Sequence, residues 1–98
     1  MAYSILILGG TAEAKALAAK LVLDPRFDIL LSLAGRTKAP AAQPVPVRIG
    51  GFGGADGLAR FIRSQGIDLL IDATHPFAAQ ISHNAAQAAA ATGVDILA

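Results

Sequence analysis

Ile5-Leu6-Ile7-Leu8-Gly9-Gly10-Thr11-Ala12-Glu13-Ala14 is the stretch on which the fold turns. A continuous apolar run ends in a glycine pair, and alanine-rich helical sequence follows at once. A strand with no polar alternation is one buried on both faces, the habit of a parallel sheet covered by helices. Tyr3 to Leu8 is therefore predicted as the first strand and Ala12 to Leu23 as a helix. That helix has Ala14, Leu17, Ala18 and Leu21 inward, and Asp24-Pro25 ends it.

The remaining chain repeats this alternation. Asp28 to Ala34 reads as a second buried strand. Arg36 to Pro46 reads as a loop punctuated by Pro40, Pro44 and Pro46. Val47 to Ile49 is a short third strand, followed by Gly50-Gly51-Phe52-Gly53-Gly54. Asp56 is expected to cap a helix running to Gln65, with Leu58, Phe61 and Ile62 inward and Gly66 as its stop. Ile67 to Ala73 is a fourth strand. A helix from Pro76 or Phe77 to about Thr92 follows, and Asp95 to Ala98 is a fifth strand expected to need cover from further chain. Strands alternating with helices predict an α/β fold: a Rossmann-like doubly wound parallel sheet in three αβα layers, with strand order 3-2-1-4-5.

Composition narrows the function classes. The 98 residues suit one domain, with 54% hydrophobic and 15% charged residues. Such an apolar balance suggests either buried parallel strands or a surface that docks against more protein. A net charge of +1 offers no electrostatic footprint for nucleic acid. The absence of cysteine excludes disulfides and thiolate metal sites. The run from Ala73 to Val94 has no formal charge, but His75, Pro76, Gln80, His83, Asn84 and Gln87 interrupt it, so it is not expected to span a membrane. The expected location is the cytoplasm. His75 and His83 lack a helical metal-binding spacing, so no metal site is expected.

The first glycine turn is the leading candidate for ligand binding. A helix N-terminus presents unpaired amides and a partial positive charge, both of which a diphosphate satisfies. Gly9, Gly10, Thr11 and Ala12 are the predicted contacts. Thr11 can cap the helix or meet a phosphate oxygen. Thr11 and Ala14 stand where the G-x-G-x-x-G fingerprint has its second and third glycines, and the alternative is a tight turn with no ligand.

The end of the second strand bears on the choice of dinucleotide. An acidic residue there binds the ribose 2′-hydroxyl of NAD. Here Leu33-Ala34-Gly35-Arg36-Thr37 holds no carboxylate, some 25 residues after Gly10. The planar, permanently charged fork of Arg36 suits a 2′-phosphate, which favours NADPH, with Gly35, Thr37 and Lys38 beside it. A solvated basic turn is the alternative.

In the predicted strand order the first and fourth strands are neighbours, and ligands bind where the winding reverses between them. Ala73, Thr74 and His75 should therefore face the same cleft as Thr11. His75 is a candidate for donating a hydrogen bond or a proton, or it is a structural histidine bonding a carbonyl in the turn. Asp72 either joins the site or ties down the next turn. His83 and Gln87 share a helix face that is expected to be exposed.

Taken together, Ile5–Ala14, Leu33–Thr37, Val47-Arg48-Ile49-Gly50-Gly51-Phe52-Gly53-Gly54 and Asp72-Ala73-Thr74-His75-Pro76-Phe77-Ala78 resemble the precorrin-6A reductase family of corrin-ring biosynthesis, which includes the cobalt-precorrin-6A reductases. The resemblance implies NADPH-dependent hydride transfer to one double bond of a tetrapyrrole, precorrin-6A, giving precorrin-6B. This is oxidoreductase chemistry on a CH–CH group in cobalamin biosynthesis. It also implies a second α/β domain, so that residues 1–98 would be the NADP-binding N-terminal half of a longer reductase. Gly51, Phe52 and Gly53 become candidates for substrate contact, and Arg48 for orienting the macrocycle's carboxylates, unless it serves only the surface. Two rivals stay open. One is a dinucleotide-sensing regulatory module without catalysis. The other is an extended short-chain dehydrogenase or epimerase, whose Tyr-x-x-x-Lys pair has no counterpart here because the lone tyrosine is Tyr3.

Overall fold

The computed structural model describes residues 2–33, 43–75 and 78–98. Five strands form one parallel sheet: β1 (Tyr3–Leu8), β2 (Phe27–Leu33), β3 (Val47–Ile49), β4 (Leu69–Asp72) and β5 (Asp95–Leu97). Their order is β3-β2-β1-β4-β5, as predicted. Three helices make the crossovers: α1 (Ala12–Leu21), α2 (Gly54–Gln65) and α3 (Ala79–Thr92).

Alternation along β1 sorts the core into two layers, because successive side chains leave a strand on opposite faces. Ile5 and Ile7 pack with Ile29, Leu31, Ala14 and Ala18 under α1. Leu6 and Leu8 pack with Leu58, Ile62, Leu70 and Ala85 under α2 and α3. Each large side chain so enclosed contributes about 1.5–3 kcal/mol. The apolar excess thus goes mainly into a sheet buried on both faces. Around β5 the cover is thinner, and Leu97 is 56% exposed.

Several boundaries differ from expectation. Helix α1 ends at Leu21, where the Val22 amide closes the last turn onto the Ala18 carbonyl. Strand β4 is shorter than the apolar run because the Ile67 amide turns back to the Ile62 carbonyl at the end of α2. Asp56 does not cap α2. The helix starts earlier, at Gly54, with left-handed Gly53 as its cap, so Asp56 falls within the first turn. There its negative charge still complements the helix dipole. Helix α3 is described from Ala79, and the proposed openers Pro76 and Phe77 lie outside the described residues.

Candidate functional site

The C-terminal ends of β1 and β4 lie side by side, with Leu8 paired to Asp72. From there the chain leaves β1 for α1 on one face of the sheet. It leaves β4 for α3 on the other. This divergence opens a crevice at the top of the sheet, the place where doubly wound folds bind ligands.

Gly10 makes the first turn with a φ of 106°, a conformation that side chains disfavour. Thr11 then uses its hydroxyl twice. Oγ1 accepts the Ala14 amide at 3.1 Å, capping α1, and donates to the Ala73 carbonyl oxygen at 2.7 Å. Of the two roles foreseen for Thr11, the cap is the one observed, and the hydroxyl's proton is committed across the crevice. The amides of Ala12 and Glu13 have no acceptor within the helix. They border a depression of about 470 Å³ lined by Gly10, Thr11, Ala73, Thr74 and His75 as well. Six of the residues singled out from sequence therefore meet at one place: Gly10, Thr11, Ala12, Ala73, Thr74 and His75. His75 is exposed, and its carbonyl accepts the Ala78 amide at 2.8 Å.

Asp72 ties down the second turn. Its Oδ1 accepts the Thr74 amide at 3.1 Å and the Thr74 hydroxyl at 2.5 Å. Burial acts to raise its carboxyl, but hydrogen bonds from Ser82 and Thr74 outweigh that and hold it below the usual carboxylate range. Ser82, one turn into α3, was not foreseen; nothing in the spacing of a lone serine on an alanine-rich helix marks it.

A second cavity, of about 160 Å³, lies on the α2–α3 side of β1, roofed by Gly50–Gly54. Gly9 lines this cavity rather than the first depression. A Cβ at Gly9 would lie 2.6 Å from Leu31 Cδ1, so this glycine also serves close packing. Arg48 does not reach outward. Its guanidinium donates to the carbonyl oxygens of Gly50 (2.7 Å) and Gly51 (3.0 Å) and lies 3.9 Å above the Phe52 ring. Phe52 in turn meets Phe61 edge-on, with centroids 5.1 Å apart. The loop is thus braced from within.

Gly35, Arg36 and Thr37, with Lys38, lie outside the described residues. His83 and Gln87 are exposed, as expected. Among the described residues no cluster of metal-ligating side chains occurs, and no helix is long and apolar enough to cross a membrane.

The family described as precorrin-6x reductase CbiJ/CobK matches residues 4–98. The precorrin-6A reductase of Sinorhizobium sp is 65% identical over 94 residues, covering 96% of this chain and 36% of the relative. That of Rhodobacter capsulatus is 55% identical over 94 residues, covering 96% of this chain and 37% of the relative. The solved structure of CobK precorrin-6A reductase superposes with a TM-score of 0.92 at 53% identity, covering 98% of this chain and 38% of that one. The chain spans little more than a third of the length of these relatives.

Proposed function

The chain belongs to the precorrin-6x reductase family, and from that premise we propose that it is the NADPH-binding part of an enzyme reducing precorrin-6A to precorrin-6B. The observation that carries this reading is the depression at the start of α1, where glycine backbone and two amides with no acceptor inside the helix converge beside the β4 turn. Such a helix terminus suits the diphosphate of a dinucleotide. The committed Thr11 hydroxyl leaves the backbone amides as the donors.

When bound, NADPH would supply the hydride that saturates one double bond of the macrocycle. The residues of this chain bind and aim. Gly10, Thr11 and Ala12 hold the diphosphate, and Ala73, Thr74 and His75 flank the nicotinamide side. Gly35, Arg36 and Thr37 receive the 2′-phosphate; the missing carboxylate and the guanidinium in their sequence support that choice. His75, exposed at the rim, orients the tetrapyrrole or relays a proton to it. Gly51 and Gly53 are exposed in the Gly50–Gly54 loop, which supports assigning them, with Phe52, to contact with the macrocycle. A further domain, supplied by the longer protein, completes the macrocycle site. The proposed location is the cytoplasm.

Fluorescence titration with NADPH and NADH tests the cofactor assignment. The protein is expected to bind NADPH at least tenfold more tightly, and Arg36→Ala is expected to abolish the difference. Equal affinities in the unaltered protein would remove Arg36 from its role. Binding of neither would remove the nucleotide site itself.

A further inference from the structure

Gly51 is a glycine that the fold itself does not call for. Of the described glycines, six have a positive φ, where a side chain is strained. At Gly9 a Cβ would lie 2.6 Å from Leu31 Cδ1, and at Gly57 it would lie 1.7 Å from the Phe52 carbonyl oxygen. Among the described residues Gly51 alone has neither reason. Its φ is not positive, and a Cβ there would meet no described atom within 4 Å beyond its two chain neighbours. A glycine costs more conformational entropy on folding than any other residue, so alanine would serve the isolated fold as well or better. Gly51 is exposed. An exposed glycine with open space around it points to close approach by something outside the described residues.

The backbone at this position is held in place. Arg48 donates to the carbonyl oxygens of Gly50 and Gly51 at 2.7 and 3.0 Å. The Gly50 amide donates to the Leu33 carbonyl oxygen at 2.9 Å, and the Gly57 amide to that of Gly53 at 3.4 Å. Bonds on both sides of Gly51 thus fix a segment whose glycines would otherwise sample many conformations. No neighbouring side chain shields it. Gly50, Gly53 and Gly54 have none, and the Phe52 ring is taken up by Arg48, 3.9 Å away, and by Phe61 edge-on. So long a run of bare backbone suits a broad, rigid ring system; a small group would need only one glycine. The Arg48 guanidinium adds a positive charge beside it, which favours a ligand bearing carboxylates.

We propose that Gly51 is a specificity-determining residue for the macrocycle. Its missing side chain lets the flat face of the tetrapyrrole lie in van der Waals contact with the backbone, and any larger residue holds the ring off. Arg48 is the positioning residue that keeps this backbone in place. The proposal rests on the precorrin-6A reading above and deepens it.

The test uses the full-length protein with precorrin-6A and NADPH. Gly51→Ala is expected to raise the KM for precorrin-6A by about tenfold or more, as one surplus methyl group in a fitted site does. The NADPH dissociation constant should not change, and the thermal midpoint should be equal or higher. Gly51→Val should raise the KM further. Gly53→Ala, at a φ of 85°, is the contrast and should lower the thermal midpoint. An unchanged KM in Gly51→Ala overturns the proposal. A fall in NADPH affinity as large as the rise in KM also overturns it, because the glycine then serves the cofactor. A lowered thermal midpoint in Gly51→Ala overturns it too, because the glycine then serves the fold. Failure of the unaltered full-length protein to reduce precorrin-6A overturns the functional reading itself.

Discussion

The Thr11 hydroxyl donates to the Ala73 carbonyl oxygen at 2.7 Å, joining the turn after β1 to the turn after β4. The Thr11 Oγ1 also accepts the Ala14 amide, so one side chain sets both the start of α1 and the width of the crevice. The strut lies just above the last backbone bond between the two strands, from the Ala73 amide to the Leu8 carbonyl at 2.9 Å, where the crossovers begin to diverge.

Thr11→Val removes the strut and the cap while keeping the shape. Loss of a cap costs about 1 kcal/mol and loss of a hydrogen bond about as much again. A fall in stability of about 2 kcal/mol is expected from urea unfolding, with weaker NADPH binding. Thr11→Ser, which keeps the hydroxyl, should restore most of both. Equal stability of the Val and Ser variants would contradict the role.

Gly57 lies inside α2, where alanine ordinarily stabilises a helix by about 1 kcal/mol. Here a Cβ would sit 1.7 Å from the Phe52 carbonyl oxygen, which is backbone and cannot swing away. Gly57→Ala is therefore expected to destabilise by about 1–3 kcal/mol or more through overpacking. It should also displace the Gly50–Gly54 loop. A gain in thermal midpoint would show that the loop yields freely.

Asp72 has its carboxyl held below the usual range in the folded state. The stability it contributes is therefore fully present above the ordinary carboxylate pKa and is lost as pH falls through the depressed value. Asp72→Asn is expected to be less stable than the unaltered protein at neutral pH, with the gap closing as acid is added. The variant keeps some acid sensitivity, because the hydrogen bonds from Arg26 hold the Asp24 carboxyl down to about 2. Urea midpoints measured across pH would check this; a gap that widens in acid would reverse the sign.

The candidate site is partly legible in the sequence. Gly10, Thr11, Ala12, Thr74 and His75 were recognisable because turn chemistry is local and glycine before a helix has few meanings. Ser32 was not. It lines the cavity beneath Gly50–Gly54, but nothing in the sequence of its strand says which face it takes. Gly57 was invisible for a similar reason, since the carbonyl it accommodates arrives from a loop that winds back over the helix. Arg48 reads from sequence as a surface charge or a ligand for carboxylates, whereas in the fold it donates to the Gly50 and Gly51 carbonyls.

Sequence alone determined the alternation of strand and helix, the strand order, and the glycine turn before α1, because hydrophobic period, glycine placement and the handedness of crossovers are properties of short segments. The tertiary structure alone decided that Arg48, Ser32, Leu8 and Asp72 stand in one row across the sheet. Such a row depends on the register of four strands drawn from across the chain, and register is settled only when both faces of the sheet are packed.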